Sequence, residues 1–183
     1  MKQESTVKYV LRLALTLFAI TAVVAACLAA VNSVTKPRIA ATRAAKTQQA
    51  IEAVLPGGGE EVSDYTDVTG LVSKVYGSDT GYAVEVNPNG FGGPITMMVG
   101  VDTEGKVLGI SIVTQTETAG LGAVAAAKTT AGESFRGQYA GMSGSLAVTK
   151  DGGEIDAITG ATITSRAVTT GVNAALSCVA AMD

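Results

Sequence analysis

The stretch LALTLFAITAVVAACLAAV, residues 13–31, divides the chain into a membrane-spanning part and one folded domain. It contains no charged residue, and its only hydroxyl side chains are those of Thr16 and Thr21. As a helix rising about 1.5 Å per residue it would extend roughly 28 Å, close to the hydrocarbon thickness of a bilayer. A helix buried in a globular core seldom stays apolar around its whole circumference. The run therefore predicts one transmembrane helix, preceded by an N-terminal tail of residues 1–12.

Two fates of this segment fit the sequence. Val24-Ala25-Ala26-Cys27 is similar to a bacterial lipoprotein box, in which Cys27 would be acylated after cleavage. The apolar run continues for four residues past Cys27, where a lipoprotein normally turns polar, and this favours a helix that is retained. Three basic residues precede the run and four follow it closely, so the positive-inside rule does not decide which side the domain occupies.

The rest of the chain predicts a connecting helix and linker over residues 32–58 and a single domain over residues 59–183. Ile39–Leu55 is Ala-rich and helical in pattern, and Pro56-Gly57-Gly58-Gly59 ends it. Runs rich in β-forming residues follow at Leu71–Tyr76, Tyr82–Val86, Ile95–Asp102 and Val107–Thr114, the last two joined by a hairpin turn. Gly120–Lys128 and Arg166–Ala181 favour helix. Strands and helices do not alternate regularly, which indicates an α+β fold of antiparallel strands with packed helices.

Composition excludes several classes of function. The 183 residues carry 13 Lys and Arg against 16 Asp and Glu, a net charge of −3, so no nucleic-acid partner is expected. Histidine is absent, which removes His-based catalytic triads and two-His metal sites. Two cysteines cannot make a metal cluster. Composition therefore predicts no metal site and no His-based catalytic site.

The segment DAITGATITS, residues 156–165, carries the densest chemical signal. It combines a glycine turn with hydroxyl side chains just before a helix whose apolar residues recur at helical spacing. Free backbone N–H groups at a helix N-terminus favour an anion such as a phosphate. The alternative is an ordinary helix cap made by Thr164 or Ser165. Spacing alone leaves both open.

The pattern Asp156-x-x-Thr159-Gly160-Ala161-Thr162 resembles the flavinylation motif of the FMN-binding domain family. That family includes the G subunit of Rnf complexes and the C subunit of sodium-pumping quinone reductases. The resemblance implies that Thr162 carries FMN through a phosphoester bond, installed from FAD by a flavin transferase. Thr159, Gly160 and Ala161 would form the recognition turn, with Asp156 as its upstream acidic position.

Two further blocks resemble the same family. The glycine-rich Asn89–Ile95 precedes a predicted strand, and QTETAGLG, residues 115–122, is similar to the family's His-x-Glu-Thr-Pro-Gly-Leu-Gly loop, which lies against the flavin. Gln115 stands where His is usual, which removes a proton relay there, and Ala119 stands where Pro is usual. The flavin contacts implied in this loop are Glu117, Thr118, Gly120, Leu121 and Gly122. Glu117 is either an anion that fixes the loop or a polar contact to the flavin.

The resemblance implies a membrane-anchored flavoprotein that works inside a larger complex. It would carry electrons within an Rnf-type ferredoxin:NAD⁺ oxidoreductase complex coupled to Na⁺ or H⁺ movement, beside other membrane and peripheral subunits. The protein would lie in the cell membrane with its flavin domain on the extracytoplasmic side. Two alternatives stay open: a lipid-anchored extracellular electron-transfer flavoprotein, and a flavin-free, membrane-anchored scaffold module.

Overall fold

The computed structural model describes residues 3–182 and divides the chain into two compact units, one ending at Ala44 and one beginning at Ala45. The described residues of the first unit all belong to helix α1, Gln3–Val54. Among the described residues, α1 alone is long and apolar enough to cross a membrane, and none of its most apolar window is buried. Of the predicted N-terminal tail, residues 1 and 2 lie outside the described part and the rest is helical. These features support a membrane anchor.

Helix α1 continues through Pro37, where the sequence predicts that the membrane helix and the connecting helix are separate. Pro37 has no backbone N–H, so the carbonyl of Ser33 loses its usual partner in the helix. The loss of this one bond does not end the helix, because the Ala-rich residues that follow are strong helix formers. The predicted stop is confirmed: Gly57 and Gly58, with φ of 95° and 72°, follow directly after the last turn.

The second unit contains a five-stranded antiparallel sheet in the order β1-β2-β3-β4-β5, which confirms the predicted fold class. The strands are β1 Glu60–Val62, β2 Val72–Ser78, β3 Gly81–Val86, β4 Thr96–Asp102 and β5 Val107–Thr114. No strand is predicted from sequence where β1 forms. Its short, acidic sequence is compatible with an exposed edge strand, and the Lys74 ammonium of β2 lies 2.8 Å from the Glu61 carboxylate.

The remaining elements are helices and 3₁₀ turns. They are a 3₁₀ turn at Gly122–Ala126, helix α2 Thr130–Gly137, a 3₁₀ turn at Thr149–Asp151 and helix α3 Thr162–Ala180. Helix α2 is not predicted from sequence, although Thr129 caps it by accepting a hydrogen bond from the Gly132 amide at 3.3 Å. Helix α3 begins four residues earlier than predicted. This earlier start places Thr162 on the first turn.

Both faces of the sheet centre are covered. Met97, on one face of β4, belongs to the core cluster that includes the apolar side of α3. Met98 points to the opposite face and packs with Ile51 and Val54 at the end of α1. Both methionines are fully buried and belong to the core. Cys178 of α3 is also buried and packs in the first cluster.

Candidate functional site

A cleft of about 320 Å³ opens where the loop after β5 meets the start of α3. Its volume falls within the range of small-molecule sites. The lining residues are Phe91, Glu117, Thr118, Leu121, Gly122, Gly160, Ala161, Thr162, Ile163 and Thr164. The rim is apolar and accessible: Phe91 is 70 % exposed, Ile163 51 % and Leu121 43 %. The cleft therefore offers an exposed apolar wall beside a helix N-terminus.

The Glu117 carboxylate fixes the floor of this cleft. One oxygen accepts a hydrogen bond from the Gly92 amide at 2.8 Å, and the other accepts one from the Thr164 hydroxyl. The Glu117 amide in turn donates to the side-chain oxygen of Gln115 at 2.5 Å. A single buried side chain thus joins the glycine-rich loop, the loop after β5 and α3. Gln115 stands where His is usual in the FMN-binding domain family. Here its side chain stabilises the backbone of the same loop.

Two glycines are required by the shape of the cleft. A Cβ on Gly122 would lie 2.5 Å from a carboxylate oxygen of Glu117 and would also clash with the Thr164 hydroxyl. Gly160 has φ of +74°, a backbone conformation that L side chains rarely adopt. Its turn brings the chain directly into α3. Substitution would therefore crowd the polar groups of the cleft at Gly122 and strain the backbone at Gly160.

The start of α3 has no side-chain cap. Ala161 occupies the N-cap position, and no side chain caps the backbone N–H groups of the first turn. The alternative in which Thr164 or Ser165 caps the helix is therefore wrong, since both lie inside the first turn. Their hydroxyls are needed elsewhere: Thr164 bonds Glu117, and Ser165 donates to the Ala161 carbonyl at 3.0 Å. The N–H groups of the first turn remain available to an anion.

Thr162 differs from the other hydroxyl residues of the motif. Thr164 and Ser165 are buried and hydrogen-bonded within the protein. Thr159 is exposed and does not line the cleft. Thr162 is half-buried, lines the cleft and accepts a hydrogen bond from the Lys150 ammonium at 3.0 Å. Among the hydroxyl groups of residues 159–165, that of Thr162 therefore lines the cleft and is accessible for attachment of a ligand.

Most of the residues predicted from sequence meet at this cleft. Those that line it are Glu117, Thr118, Leu121, Gly122, Gly160, Ala161 and Thr162, whereas Asp156, Thr159 and Gly120 do not. Asp156 is exposed, and its backbone pairs with the Gln138 side chain, its amide donating at 2.7 Å. The structure adds Phe91, Ile163 and Thr164 to the lining and shows Lys150 in contact with Thr162. Phe91 lies in the glycine-rich block that the sequence singles out, but nothing local marks Lys150.

Comparisons with known proteins agree with this arrangement. Residues 90–177 match the FMN-binding domain and residues 1–54 match the RnfG N-terminal region. The chain is 34 % identical to the G subunit of the Na⁺-translocating ferredoxin:NAD⁺ oxidoreductase complex of Acetobacterium woodii, over 91 % of this chain and 89 % of that protein. It is 30 % identical to the G subunit of an ion-translocating oxidoreductase complex of Methanosarcina acetivorans, over 96 % of this chain and 97 % of that protein.

A third relative is the G subunit of the proton-translocating ferredoxin:NAD⁺ oxidoreductase complex of Clostridium ljungdahlii, 37 % identical over 81 % of this chain and 80 % of that protein. These similarities extend over both the N-terminal helix and the domain that contains the cleft. The chain belongs to the family of Rnf-type complex G subunits and carries their FMN-binding domain.

Proposed function

We propose that the cleft holds FMN joined covalently to Thr162, and that the chain carries electrons through this flavin. The observation that carries the proposal is the Thr162 hydroxyl, which lines the cleft of an FMN-binding domain at the uncapped start of α3. A phosphate on this hydroxyl would lie beside the free N–H groups of the first turn. The tether would keep the cofactor in place on a membrane surface.

The residues of the cleft fit the two ends of FMN. Its phosphate requires a hydroxyl, backbone donors and a cation, which Thr162, the first turn of α3 and Lys150 provide. Its ring system requires an apolar wall, which the accessible side chains of Phe91, Leu121 and Ile163 provide. Gly122 and Gly160 leave space where side chains would intrude. Glu117 holds the loop and α3 together and so sets the width of the cleft.

Bound flavin would supply the redox chemistry, which explains how a chain without histidine can serve in electron transfer. The protein's own part is to bind and orient the cofactor and to limit its exposure to water. Thr162 is an attachment point in this account, and no side chain of the cleft is assigned a proton-transfer role.

The wider role follows from the names of the relatives. We infer that the chain serves in a complex that passes electrons between ferredoxin and NAD⁺ and moves Na⁺ or H⁺, with other membrane and peripheral subunits as partners. A flavin transferase would load Thr162 from FAD. We further infer that α1 is retained as the anchor and that the domain lies on the extracytoplasmic side.

Intact mass of the full chain, co-expressed with a flavin transferase, tests the attachment. We expect a gain equal to FMN less one water that survives denaturation and is absent from Thr162→Ala. Thr170→Ala, a matched change at an exposed hydroxyl of α3 outside the motif, should keep the gain. A colourless chain of unmodified mass, with the transferase active on another substrate, would contradict the proposal. The same spectrum tests anchoring, because a chain beginning at acylated Cys27 has a different mass.

A further inference from the structure

The Lys150 ammonium contacts the Thr162 hydroxyl, the proposed attachment point. Lys150 lies in the 3₁₀ turn Thr149–Asp151, and its ammonium donates to Thr162 Oγ1 at 3.0 Å. The contact joins residues 12 positions apart, so it depends on how the chain folds back and not on local sequence. A hydroxyl alone needs no cation as its partner. A phosphate on that hydroxyl would gain from one.

The neighbours of Lys150 hold its turn against α3. Asp151 and Arg166 form a two-pronged ion pair, with Arg166 Nε and Nη2 lying 2.6 Å and 2.5 Å from the Asp151 oxygens. Val148 forms a parallel bridge with Ile155, and the Thr149 amide donates to the Ile155 carbonyl at 2.8 Å. These contacts fix the backbone on both sides of Lys150. The Lys150 side chain therefore extends from a well-held turn, and its ammonium lies beside Thr162 Oγ1.

The charge balance around Lys150 leaves it available. Arg166 and Asp151 neutralise each other, and the Arg166 guanidinium holds the pKa of the Asp151 carboxyl below its usual value. Within residues 3–182 Lys150 takes part in no ion pair. The ammonium that contacts the Thr162 hydroxyl thus has no carboxylate partner among the described residues. An incoming phosphate would meet an uncompensated positive charge.

We propose that Lys150 is the phosphate-binding cation of flavin attachment; this rests on the proposed function of Thr162. In the attachment step Thr162 Oγ1 forms a bond to the flavin-side phosphorus of FAD. The bond from that phosphorus to the oxygen bridging to AMP breaks, AMP leaves with that oxygen, and the hydroxyl proton is released to solvent or the transferase. No electron donor or acceptor is required. Lys150 offsets the negative charge at the phosphate and stays beside the finished diester.

The test is the initial rate of FMN attachment to purified full-length chain in detergent, with FAD and a flavin transferase, followed by intact mass. We expect Lys150→Gln to slow attachment about tenfold, because an exposed ammonium is partly screened by water. Lys150→Arg should recover most of the rate. Lys128→Gln makes the same charge change at another exposed lysine and should load like the wild type. Thermal unfolding of each variant reports on folding.

The possible results distinguish the role of Lys150 from the attachment of FMN to Thr162. Slow loading of Lys150→Gln, with unchanged thermal unfolding and rescue by arginine, supports the assignment. Loading of Lys150→Gln at the wild-type rate overturns it and leaves the Thr162 attachment standing. Slow loading that arginine does not rescue, or that accompanies lower thermal stability, also overturns it, since Lys150 would then act on folding. Failure of the wild type and Lys128→Gln to load contradicts the attachment itself.

Discussion

Glu117 accepts a hydrogen bond from the hydroxyl of Thr164, a residue 47 positions later in the chain. Its second oxygen accepts from the Gly92 amide, so one carboxylate joins three segments that are distant in sequence. Thr164 lies on the first turn of α3, two residues after Thr162. The position of the Thr162 hydroxyl therefore depends on Glu117. This relationship favours the structural role for Glu117 that the sequence left open.

Removal of this carboxylate should destabilise the domain. Glu117→Ala leaves the Gly92 amide and the Thr164 hydroxyl without their partner, and we expect the free energy of unfolding to fall by about 3 kcal/mol. Glu117→Gln keeps the shape and one acceptor, so its loss should be smaller. Urea unfolding of the full chain in detergent, followed by tyrosine fluorescence, measures both. Glu154→Ala, at an exposed carboxylate, should change the value by less than about 0.5 kcal/mol. Equal losses at Glu117 and Glu154 would contradict the anchoring role.

A methyl group at Gly122 should damage the cleft. It would crowd Glu117 and Thr164, and overpacking of this kind destabilises a protein by about 1–3 kcal/mol. We expect Gly122→Ala to lower thermal stability and to reduce flavin loading. Gly137→Ala is the matched control, because a Cβ there meets nothing within 4 Å and the position is at the end of a helix. Equal flavin loading and equal thermal stability of Gly122→Ala and Gly137→Ala would contradict the predicted crowding at Gly122.

Alkaline pH should weaken the domain through Tyr139. Burial raises the pKa of Tyr139 to about 12, although its hydrogen bond with Thr169 acts in the opposite direction. In the unfolded chain the pKa is about 10, so the folded state holds the proton more tightly. The stabilisation is complete below about pH 10 and is lost as pH rises through about 12.

The comparison variant is Tyr139→Phe, which cannot ionise. Between about pH 9 and pH 11 the wild type should lose about 1 kcal/mol more unfolding free energy than this variant. Urea unfolding at each pH gives the difference. Near neutral pH the variant should be less stable by about 1 kcal/mol, because the buried hydrogen bond of 2.8 Å between the Tyr139 and Thr169 hydroxyls is lost. Parallel losses in both proteins at high pH would show that Tyr139 titrates without a shift.

Labelling of introduced cysteines tests which side of the membrane the domain occupies. Asp79 lies in the exposed turn between β2 and β3, and Lys8 is exposed near the start of α1. A membrane-impermeant maleimide applied to intact spheroplasts should label Asp79→Cys and reach Lys8→Cys only after lysis. The wild-type chain reports any reaction of Cys27 or Cys178. Labelling in the reverse order would place the domain in the cytoplasm.

The fold can largely be predicted from sequence because its signals are local. The β-rich runs and the Pro-Gly stop after α1 correspond to structural elements at nearly the predicted residues. The start of α3 lies earlier than predicted, because Thr162, Ile163 and Thr164 are β-branched and have low helix propensity. The bond from Thr164 to Glu117 helps to hold that turn. Helix α2 escapes prediction because two of its eight residues are glycine, although Gly132 lies where a Cβ would clash with the Ala127 carbonyl.

The site residues that lie in recognisable motifs can be predicted from sequence, whereas those that only the folded chain brings together cannot. Thr162 and the loop around Glu117 lie in blocks that resemble a known family. Lys150 reaches Thr162 only because the chain from Val148 to Ile155 folds back on itself. The spacing of residues in the sequence does not predict that this segment folds back. Likewise, the role of Gln115 as acceptor for the Glu117 amide is visible only in the folded loop.

The residue that carries the covalent flavin can be identified from one tryptic peptide. Complete tryptic cleavage after Lys150 and Arg166 gives a peptide, residues 151–166, with four hydroxyl side chains: Thr159, Thr162, Thr164 and Ser165. Tandem mass spectrometry of this peptide from flavin-loaded full-length chain locates the added mass among them. We expect the mass of FMN on Thr162 alone. FMN on Thr159, Thr164 or Ser165, or an unmodified peptide from a loaded chain, would contradict it.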